Sequence, residues 1–196
     1  MKAYTFLFTM NVLRRRLLLL VLPIAAALLT TATHTNRVVH KQGGSITLKA
    51  TSLELRIYKS RYELELWDSL GLWMTYPVVF GSSDLKDKMM EGDRMTPEGQ
   101  YRIIEKKIHP QWGHFLLLDY PNAADLEKFQ QRKKAGIIPH NARPGGGIGI
   151  HATRQNEDRF VDFYYNWTLG CISTKRNYAK ELYELLPVGT PVGIYP

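Results

Sequence analysis

The chain contains a single cysteine, and its neighbours favour nucleophilic chemistry. Cys171 follows Gly170 in the run Trp-Thr-Leu-Gly-Cys-Ile-Ser, and His151 closes a glycine-rich strand upstream of it. A lone thiol cannot form an internal disulfide. A cysteine attacks a carbonyl carbon as the thiolate, so it needs a base that accepts its proton, and histidine often serves as that base. The residue types therefore predict a Cys171 nucleophile with His151 as its base.

Glycines surround both residues and favour an open site with accessible main-chain donors. The glycines from Gly145 to Gly149 carry no side chain that would block a substrate near His151. Gly170 leaves the main-chain N–H groups beside Cys171 free to stabilise an oxyanion. In the structural alternative, Cys171 is a small buried hydrophobic residue and the glycines only mark turns. The combination of all these features favours catalysis.

The pattern of apolar and polar residues predicts a mainly β domain with α additions. Strands are predicted at residues 53–58, 62–67, 73–80, 101–106, 114–120, 147–151 and 191–195. One helix is predicted from Asn122, a good N-cap residue, to Lys134, and a second from Lys175 to Leu186. The fold class follows from these elements, but periodicity alone does not give their arrangement in space.

The first 32 residues have the layout of a secretory signal. A basic start with Arg14, Arg15 and Arg16 precedes an apolar core at residues 17–29, and small residues lead to Ala32. We expect cleavage after Ala32, with an uncleaved inner-membrane anchor as the alternative. Residues 33–45 are predicted to form a polar tether, and residues 46–196 are long enough for one domain with its own core. We expect the protein in the periplasm or the cell envelope.

Charge and histidine content argue against two other classes of function. The chain has 26 Lys+Arg and 18 Asp+Glu residues, and four of the basic residues lie in the first 32, which leaves a net charge of +4. No basic run is interleaved with aromatic residues, so we expect no nucleic-acid partner. His109, His114 and His140 lack the spacing of a known metal-binding motif, so we expect neither a metal nor another cofactor.

The segment around the two candidate catalytic residues resembles the active-site signature of the L,D-transpeptidases, the YkuD-type catalytic domain. That signature is a histidine, a variable stretch and then Ser/Thr-x-Gly-Cys, which is similar to His151, Thr168, Gly170 and Cys171 here. The resemblance covers about residues 53–196.

Two further blocks carry the same resemblance. Residues 91–101 are similar to the family's Gly-Asp-x-x-Thr-Pro-x-Gly-x-Tyr block, which ends here at Tyr101. Residues 120–125, together with residues 146–151, resemble the branch known as murein L,D-transpeptidases. Three blocks in the same order make the resemblance specific.

The resemblance implies a β-rich fold with two short helices and a reaction on peptidoglycan stem peptides. Cys171 would attack the carbonyl at the L-centre of diaminopimelate in a stem tetrapeptide and expel terminal D-alanine. An amine acceptor on a second stem would give a 3–3 cross-link. Water would give hydrolysis, which includes release of a wall-linked protein. A non-catalytic peptidoglycan-binding domain is a third alternative.

The resemblance also implies roles for residues around the nucleophile. Gly170 and Cys171 would supply main-chain donors to the oxyanion, while Thr168 and Gly149 would shape the site. The predicted substrate contacts are Tyr101, Arg132, Lys133 and Arg154. Two of these belong to a basic insertion at residues 121–145, which would cap the cleft.

Two positions depart from the family pattern. Many members have histidine before the Gly-Cys pair, where this chain has Leu169, and arginine two positions after the cysteine, where this chain has Ser173. The residues that could supply the missing charge are Lys175, Arg176, Arg154 and Arg159. The departures bear on the choice of acyl acceptor.

Overall fold

The computed structural model describes residues 53–196, which form one mixed eight-stranded sheet with three α-helices. The strands are β1 Glu54–Tyr58, β2 Glu63–Asp68, β3 Gly71–Pro77, β4 Gly99–His109, β5 Gly113–Leu118, β6 Gly149–Ala152, β7 Ile172–Thr174 and β8 Pro191–Tyr195. The helices are α1 Ala123–Lys134, α2 Arg159–Asp162 and α3 Arg176–Leu185, and a 3₁₀ turn occupies Lys59–Arg61. The predicted mainly β fold with α additions is confirmed, with one short helix more than predicted.

The strand order brings β6 and β7 together at one edge of the sheet. The order is β3-β2-β1-β8-β4-β5-β6-β7. Most neighbours are antiparallel, whereas β8 runs parallel to β1 and β7 runs parallel to β6. Because β7 begins directly after Cys171, the parallel β6–β7 pair brings the cysteine segment beside the strand that carries His151.

The alternation predicted for the first two strands is present and builds the core. Leu55 and Ile57 of β1 are fully buried, as are Leu64 and Leu66 of β2. Such side chains each contribute about 1.5–3 kcal/mol when they leave water. The burial of one face of this hairpin fixes its register, because a slip by one residue would expose the whole apolar set.

The third predicted strand needs correction. It was expected to run through residues 73–80 as a buried strand, but β3 ends at Pro77 and lies at the edge of the sheet. The next three residues, from Val78 to Phe80, are buried but leave the strand. The main chain of Val79 forms an isolated antiparallel bridge with Ser173. The apolar run therefore divides into an edge strand, β3, and a buried segment that pairs with β7.

The predicted secretory signal, tether and membrane anchor lie outside the described residues. Within residues 53–196, no helix combines the length and the apolar character needed to cross a bilayer. The boundaries at residues 32 and 45 stay predictions.

Candidate active site

The parallel β6–β7 pair brings Cys171 and His151 to the same face of neighbouring strands. His151 pairs with Ser173 in the ladder, so Cys171, two residues earlier, is level with Gly149. Side chains two residues apart on a strand point to the same face of the sheet. Continuing this register by one residue beyond β7 makes Cys171 and His151 diagonal neighbours on the same face of the two strands.

The His151 ring is buried, and the main chain sets its tautomer. Its Nδ1 lies 2.7 Å from the carbonyl oxygen of Ala152. A carbonyl oxygen only accepts hydrogen bonds, so Nδ1 carries the hydrogen and Nε2 presents a lone pair. Burial lowers the pKa of His151 to about 4, with the Ala152 carbonyl opposing this shift and His109 adding to it. A neutral imidazole with a free Nε2 is the form that a general base requires.

The Cys171 thiol rests in its protonated form. Its Sγ lies 3.5 Å from the carbonyl oxygen of Gly147, to which the S–H donates. Burial raises the pKa of Cys171 to about 11, although a main-chain hydrogen bond from Gly149 and the charge of Lys88 both lower it. Across the described part of the chain, no hydrogen bond joins Sγ to the His151 ring. At neutral pH the pair is therefore a thiol near a neutral imidazole.

A hydroxyl group holds the loop that precedes the cysteine. The Oγ1 of Thr168 donates to the carbonyl oxygen of Cys171 at 2.7 Å and accepts from the N–H of Gly170 at 3.2 Å. This second bond takes up the Gly170 N–H in the resting structure. Of the two expected oxyanion donors, the N–H of Cys171 therefore remains the candidate.

The conformation of Gly170 excludes any other residue. Its φ is +126°, and a Cβ atom there would lie 2.9 Å from the carbonyl oxygen of Met95. The Oγ1 of Thr96 donates to the Gly170 carbonyl oxygen at 3.0 Å. On the other side, a Cβ atom on Gly81 would lie 2.6 Å from the Gly170 nitrogen. The sequence did not single out Gly81, because a glycine after an apolar run ordinarily marks only a turn.

The packing around Gly149 leaves no room for a side chain. A Cβ atom at this position would lie 2.5 Å from the Leu116 carbonyl oxygen and 2.6 Å from the Phe115 ring. That ring stacks on His151 with 5.7 Å between centroids. The missing side chain of Gly149 thus lets Phe115 support the imidazole, and the expectation that Gly149 also clears a path for substrate stays a prediction.

Three aromatic side chains surround the His151 ring. Trp112 and Phe115 stack on it with centroid distances of 5.0 and 5.7 Å, and Trp167 meets it edge-on at 5.6 Å. The guanidinium carbon of Arg154 lies 4.9 Å from the Trp167 ring centroid. Arg154 is therefore the cation, among the four considered, that contacts an aromatic neighbour of His151.

The other three basic residues contact different groups. Lys175 forms an ion pair with Asp162, Arg176 donates to the Thr153 carbonyl oxygen at 2.9 Å, and Arg159 lies 5.8 Å over the Phe160 ring. Ser173 itself is fully buried opposite His151, and within residues 53–196 its hydroxyl has no hydrogen-bond partner. An arginine at that position would not fit without moving its neighbours.

Tyr101 belongs to the core rather than to a substrate cleft. It is 3% exposed, and its hydroxyl donates to Oδ1 of Asp125 at 3.0 Å. Asp125 also closes the capping box at the start of α1, where its side chain accepts from the N–H of Asn122. Tyr101 therefore ties β4 to α1, and the structure gives it a structural role.

The two basic residues predicted to bind substrate lie on α1, and both have local partners. The guanidinium of Arg132 bonds to Oδ2 of Asp87 and to the Lys88 carbonyl oxygen, both at 2.7 Å. The ammonium of Lys133 lies 5.5 Å over the Phe129 ring of its own helix. Arg132 fastens the insertion to the loop at residues 81–98, and neither residue contacts Cys171.

Two of the three histidines considered as metal ligands pack against aromatic rings. His109 stacks on Trp112 at 4.2 Å between centroids, and His114 meets Tyr183 edge-on at 5.0 Å. Between residues 53 and 196, no group of three or more His, Cys, Asp or Glu side chains could hold a metal ion.

A cavity of about 410 Å³ is lined by residues that flank the cysteine segment and the glycine-rich strand. Its lining residues are Lys88, Glu91, Gly92, Arg94, Gly145, Gly146, Ile148 and Leu169. Gly147, whose carbonyl accepts the thiol hydrogen bond, lies between two of them in the chain. Leu169 lies two residues before Cys171, and a Cβ atom on Gly170 would lie 3.1 Å from the Ile148 side chain, so the cavity adjoins the segment that carries the cysteine. Its volume suits a small ligand or side chain.

Comparison with known proteins identifies the family. The model of the L,D-transpeptidase catalytic domain, YkuD, matches residues 54–194, which is most of the chain. The chain belongs to the YkuD family. It thus carries an L,D-transpeptidase catalytic domain. No curated protein sequence matches it significantly.

Solved structures share the YkuD fold at low sequence identity. The helical cell shape determining protein Pgp2 from Campylobacter jejuni matches with a TM-score of 0.54 and 21% identity, over 73% of this chain and 47% of that one. Bd1075 from Bdellovibrio bacteriovorus gives 0.51 and 21%, over 73% and 47%. An L,D-transpeptidase from Mycobacterium smegmatis gives 0.49 and 13%, over 74% and 59%. The chain spans about half to three-fifths of the length of these proteins.

Proposed function

We propose that this YkuD-family protein is a cell-wall L,D-transpeptidase that uses Cys171 as its nucleophile. The observation that supports it best is the shared face of β6 and β7, on which a thiol lies near a histidine with a free Nε2. The match to the L,D-transpeptidase catalytic domain supplies the substrate class, which is the stem peptide of peptidoglycan.

The first half-reaction forms a thioester. The Cys171 thiol rotates away from the Gly147 carbonyl and gives its proton to Nε2 of His151 as Sγ attacks the carbonyl at the L-centre of diaminopimelate. The N–H of Cys171 donates to the oxyanion of the tetrahedral intermediate. When this intermediate collapses, the C–N bond to D-alanine breaks, and the departing amine takes the proton from His151.

The second half-reaction consumes the thioester. His151 accepts a proton from an amine of a second stem, the amine nitrogen attacks the thioester carbon, and the Cys171 sulfur leaves and is reprotonated. The product is a 3–3 cross-link. Water in place of the amine gives hydrolysis at the same centre, either as carboxypeptidase activity or as release of a wall-linked protein. A non-catalytic wall-binding domain is the weakest alternative, because binding alone needs no histidine base.

Product analysis separates these alternatives. Purified protein is incubated with a stem tetrapeptide, with and without an added amine acceptor, and products are identified by mass spectrometry. We expect D-alanine release by wild type, no release by Cys171→Ala, and a cross-linked product when the acceptor is present. Release of D-alanine without any cross-link would favour the hydrolase.

In the same assay Arg154→Gln, compared with Arg159→Gln, tests Arg154 as a substrate contact. Equal turnover by the two variants would remove that role.

We also propose that the protein acts outside the cytoplasm. The support is the signal-like layout of residues 1–32, followed by the polar tether at residues 33–45 and the catalytic domain from residue 46. Peptidoglycan is the partner, and the tether would give the domain reach along the wall. One structural neighbour is described as a cell shape determining protein, and a role in cell-wall shape is part of this proposal.

A further inference from the structure

The cavity beside Cys171 contains one anion and one cation that lack charged partners. Glu91 and Arg94 both line it, and within residues 53–196 neither side chain forms an ion pair. Lys88 also lines it, but its ammonium is neutralised by Asp93 at 2.7 Å. The cavity therefore offers one acceptor for an ammonium group and one donor for a carboxylate.

Hydrogen bonds and an ion pair to Asp93 hold the loop that carries these two charges. Asp93, between them in the chain, accepts main-chain hydrogen bonds from Met89, Met90 and Met95. Burial raises the pKa of Asp93, but the bonds from Lys88 and these amides outweigh it, so the net pKa is lowered and the carboxylate stays charged. The buried ion pair of Lys88 and Asp93 and these amide bonds hold the main chain from which the exposed side chains of Glu91 and Arg94 extend.

Arg94 contacts the loop that leads to Cys171, and the main chain of Glu91 contacts the segment before β6. The Nε of Arg94 donates to the Thr168 carbonyl oxygen at 3.3 Å, in the loop that leads to Cys171. Its φ of +61° is unusual for a residue with a side chain, and such strain clusters at functional sites. The main-chain N–H of Glu91 donates to the Arg143 carbonyl oxygen at 2.8 Å, which fastens this loop to the glycine-rich segment before β6.

The rest of the cavity wall is partly apolar. Ile148 is buried, whereas Leu169 is 79% exposed although it is a large hydrophobic residue. Leu169 occupies the position where many family members have histidine. An apolar wall with opposite charges suits a ligand that has a short methylene chain ending in a zwitterion.

We infer that this cavity binds the distal end of the diaminopimelate side chain, where one carbon carries a free ammonium and a free carboxylate. Arg94 pairs with the carboxylate, Glu91 pairs with the ammonium, and Leu169 covers the methylene groups. This inference rests on the proposed function, since it assumes that the L-centre carbonyl of the same residue lies at Cys171. It makes Glu91 and Arg94 the residues that select diaminopimelate over lysine in the stem.

The test measures binding without turnover. Calorimetry with the Cys171→Ala protein compares three stem tetrapeptides that contain diaminopimelate, diaminopimelate amidated on its distal carboxyl, or lysine. The inference predicts that the first binds at least about tenfold more tightly than the other two, because both lack the distal carboxylate.

Variants of the Cys171→Ala protein assign the two charges. Adding Arg94→Gln should remove this preference by weakening only the first peptide. Adding Glu91→Gln should weaken all three, because each retains the ammonium. The control is Arg143→Gln, which removes a nearby exposed charge and should leave the preference unchanged.

The outcomes distinguish this inference from the proposed function. Equal affinity for the three peptides, or a preference that survives Arg94→Gln, overturns the inference even if wild type releases D-alanine. Absence of D-alanine release by wild type, with the binding preference intact, overturns the proposed function and leaves the cavity assignment standing. A circular-dichroism spectrum of each variant matched to that of the parent protein shows that a loss of binding is not a loss of fold.

Discussion

Burial moves the pKa values of the two proposed catalytic residues, Cys171 and His151, in opposite directions. The pKa of Cys171 is raised to about 11 and that of His151 is lowered to about 4, so both groups are neutral between these values. Desolvation disfavours the charged form of each group, and here it acts on an acid and a base at once. In the proposed mechanism, the nucleophile therefore forms during the attack, when the thiol proton moves to the imidazole, rather than before substrate arrives.

The ionisation of the thiol can be measured directly, because Cys171 is the only cysteine. A raised pKa keeps the thiol protonated at neutral pH, and thiolate appears only as pH rises toward the folded-state value. The ultraviolet thiolate absorbance of wild type minus that of Cys171→Ser should stay at baseline up to about pH 9 and rise above about pH 10. The serine variant cancels the tyrosine signal. A step with a midpoint below about pH 7 would show an ion pair instead.

The insertion at residues 121–145 is held in place by α1 and its contact with the loop at residues 81–98. Arg132 donates two charge-assisted bonds to that loop, one of them to Asp87. Burial raises the pKa of Asp87, but the bonds from the Glu98 amide, Arg132 and Lys128 outweigh burial, so its net pKa is lowered. The same loop carries the cavity charges. We therefore regard Arg132 as a residue that positions the cavity.

Adjacent residues on α1 provide a matched pair of variants. Arg132→Ala should lower the free energy of unfolding by about 1–2 kcal/mol, because it removes the shorter of the two ion pairs of the partly buried Asp87 and the bond to the Lys88 carbonyl oxygen. Lys133→Ala removes the same charge but only a contact with Phe129, so its effect should stay within about 0.5 kcal/mol. Urea denaturation followed by tryptophan fluorescence measures both. Equal effects of the two variants would mean that Arg132 has no special role in the fold.

The sequence predicted the long elements because each carries its own signal. The β1–β2 hairpin shows clear alternation, and α1 starts at Asn122 as its cap predicts. The three-residue β7 and the four-residue α2 are too short for periodicity to appear. Their positions depend on pairing with distant residues, such as the contact of Ser173 with Val79, which no local pattern contains.

Residue types singled out the Cys171–His151 pair, but its surroundings required the fold. The stacking of Phe115 on His151 follows from the β5–β6 register, in which these two residues are partners. The same register explains why Gly149 must lack a side chain. The positions of Tyr101 and Arg132 could not be predicted from charge and motif, because both are determined by the way α1 packs on the loop at residues 81–98.

The whole chain combines a YkuD catalytic domain with an N-terminal segment that we predict to be removed. Export through a cleavable signal would give a mature protein that begins at Thr33 with a net charge of +4. Intact-mass measurement of protein recovered from the envelope of the expressing cells checks this prediction. A mass that includes Met1 would show that the segment is retained and would favour the anchor.

The measurement that bears most directly on the central claim is detection of the acyl-enzyme. Wild-type protein is mixed with a stem tetrapeptide, quenched in acid and examined by intact-mass and peptide mass spectrometry. We predict an added mass equal to the acyl group of the peptide after loss of D-alanine, carried by Cys171, with no adduct on Cys171→Ala. D-alanine release that is unchanged in Cys171→Ala, or an adduct on any other residue, would contradict the account.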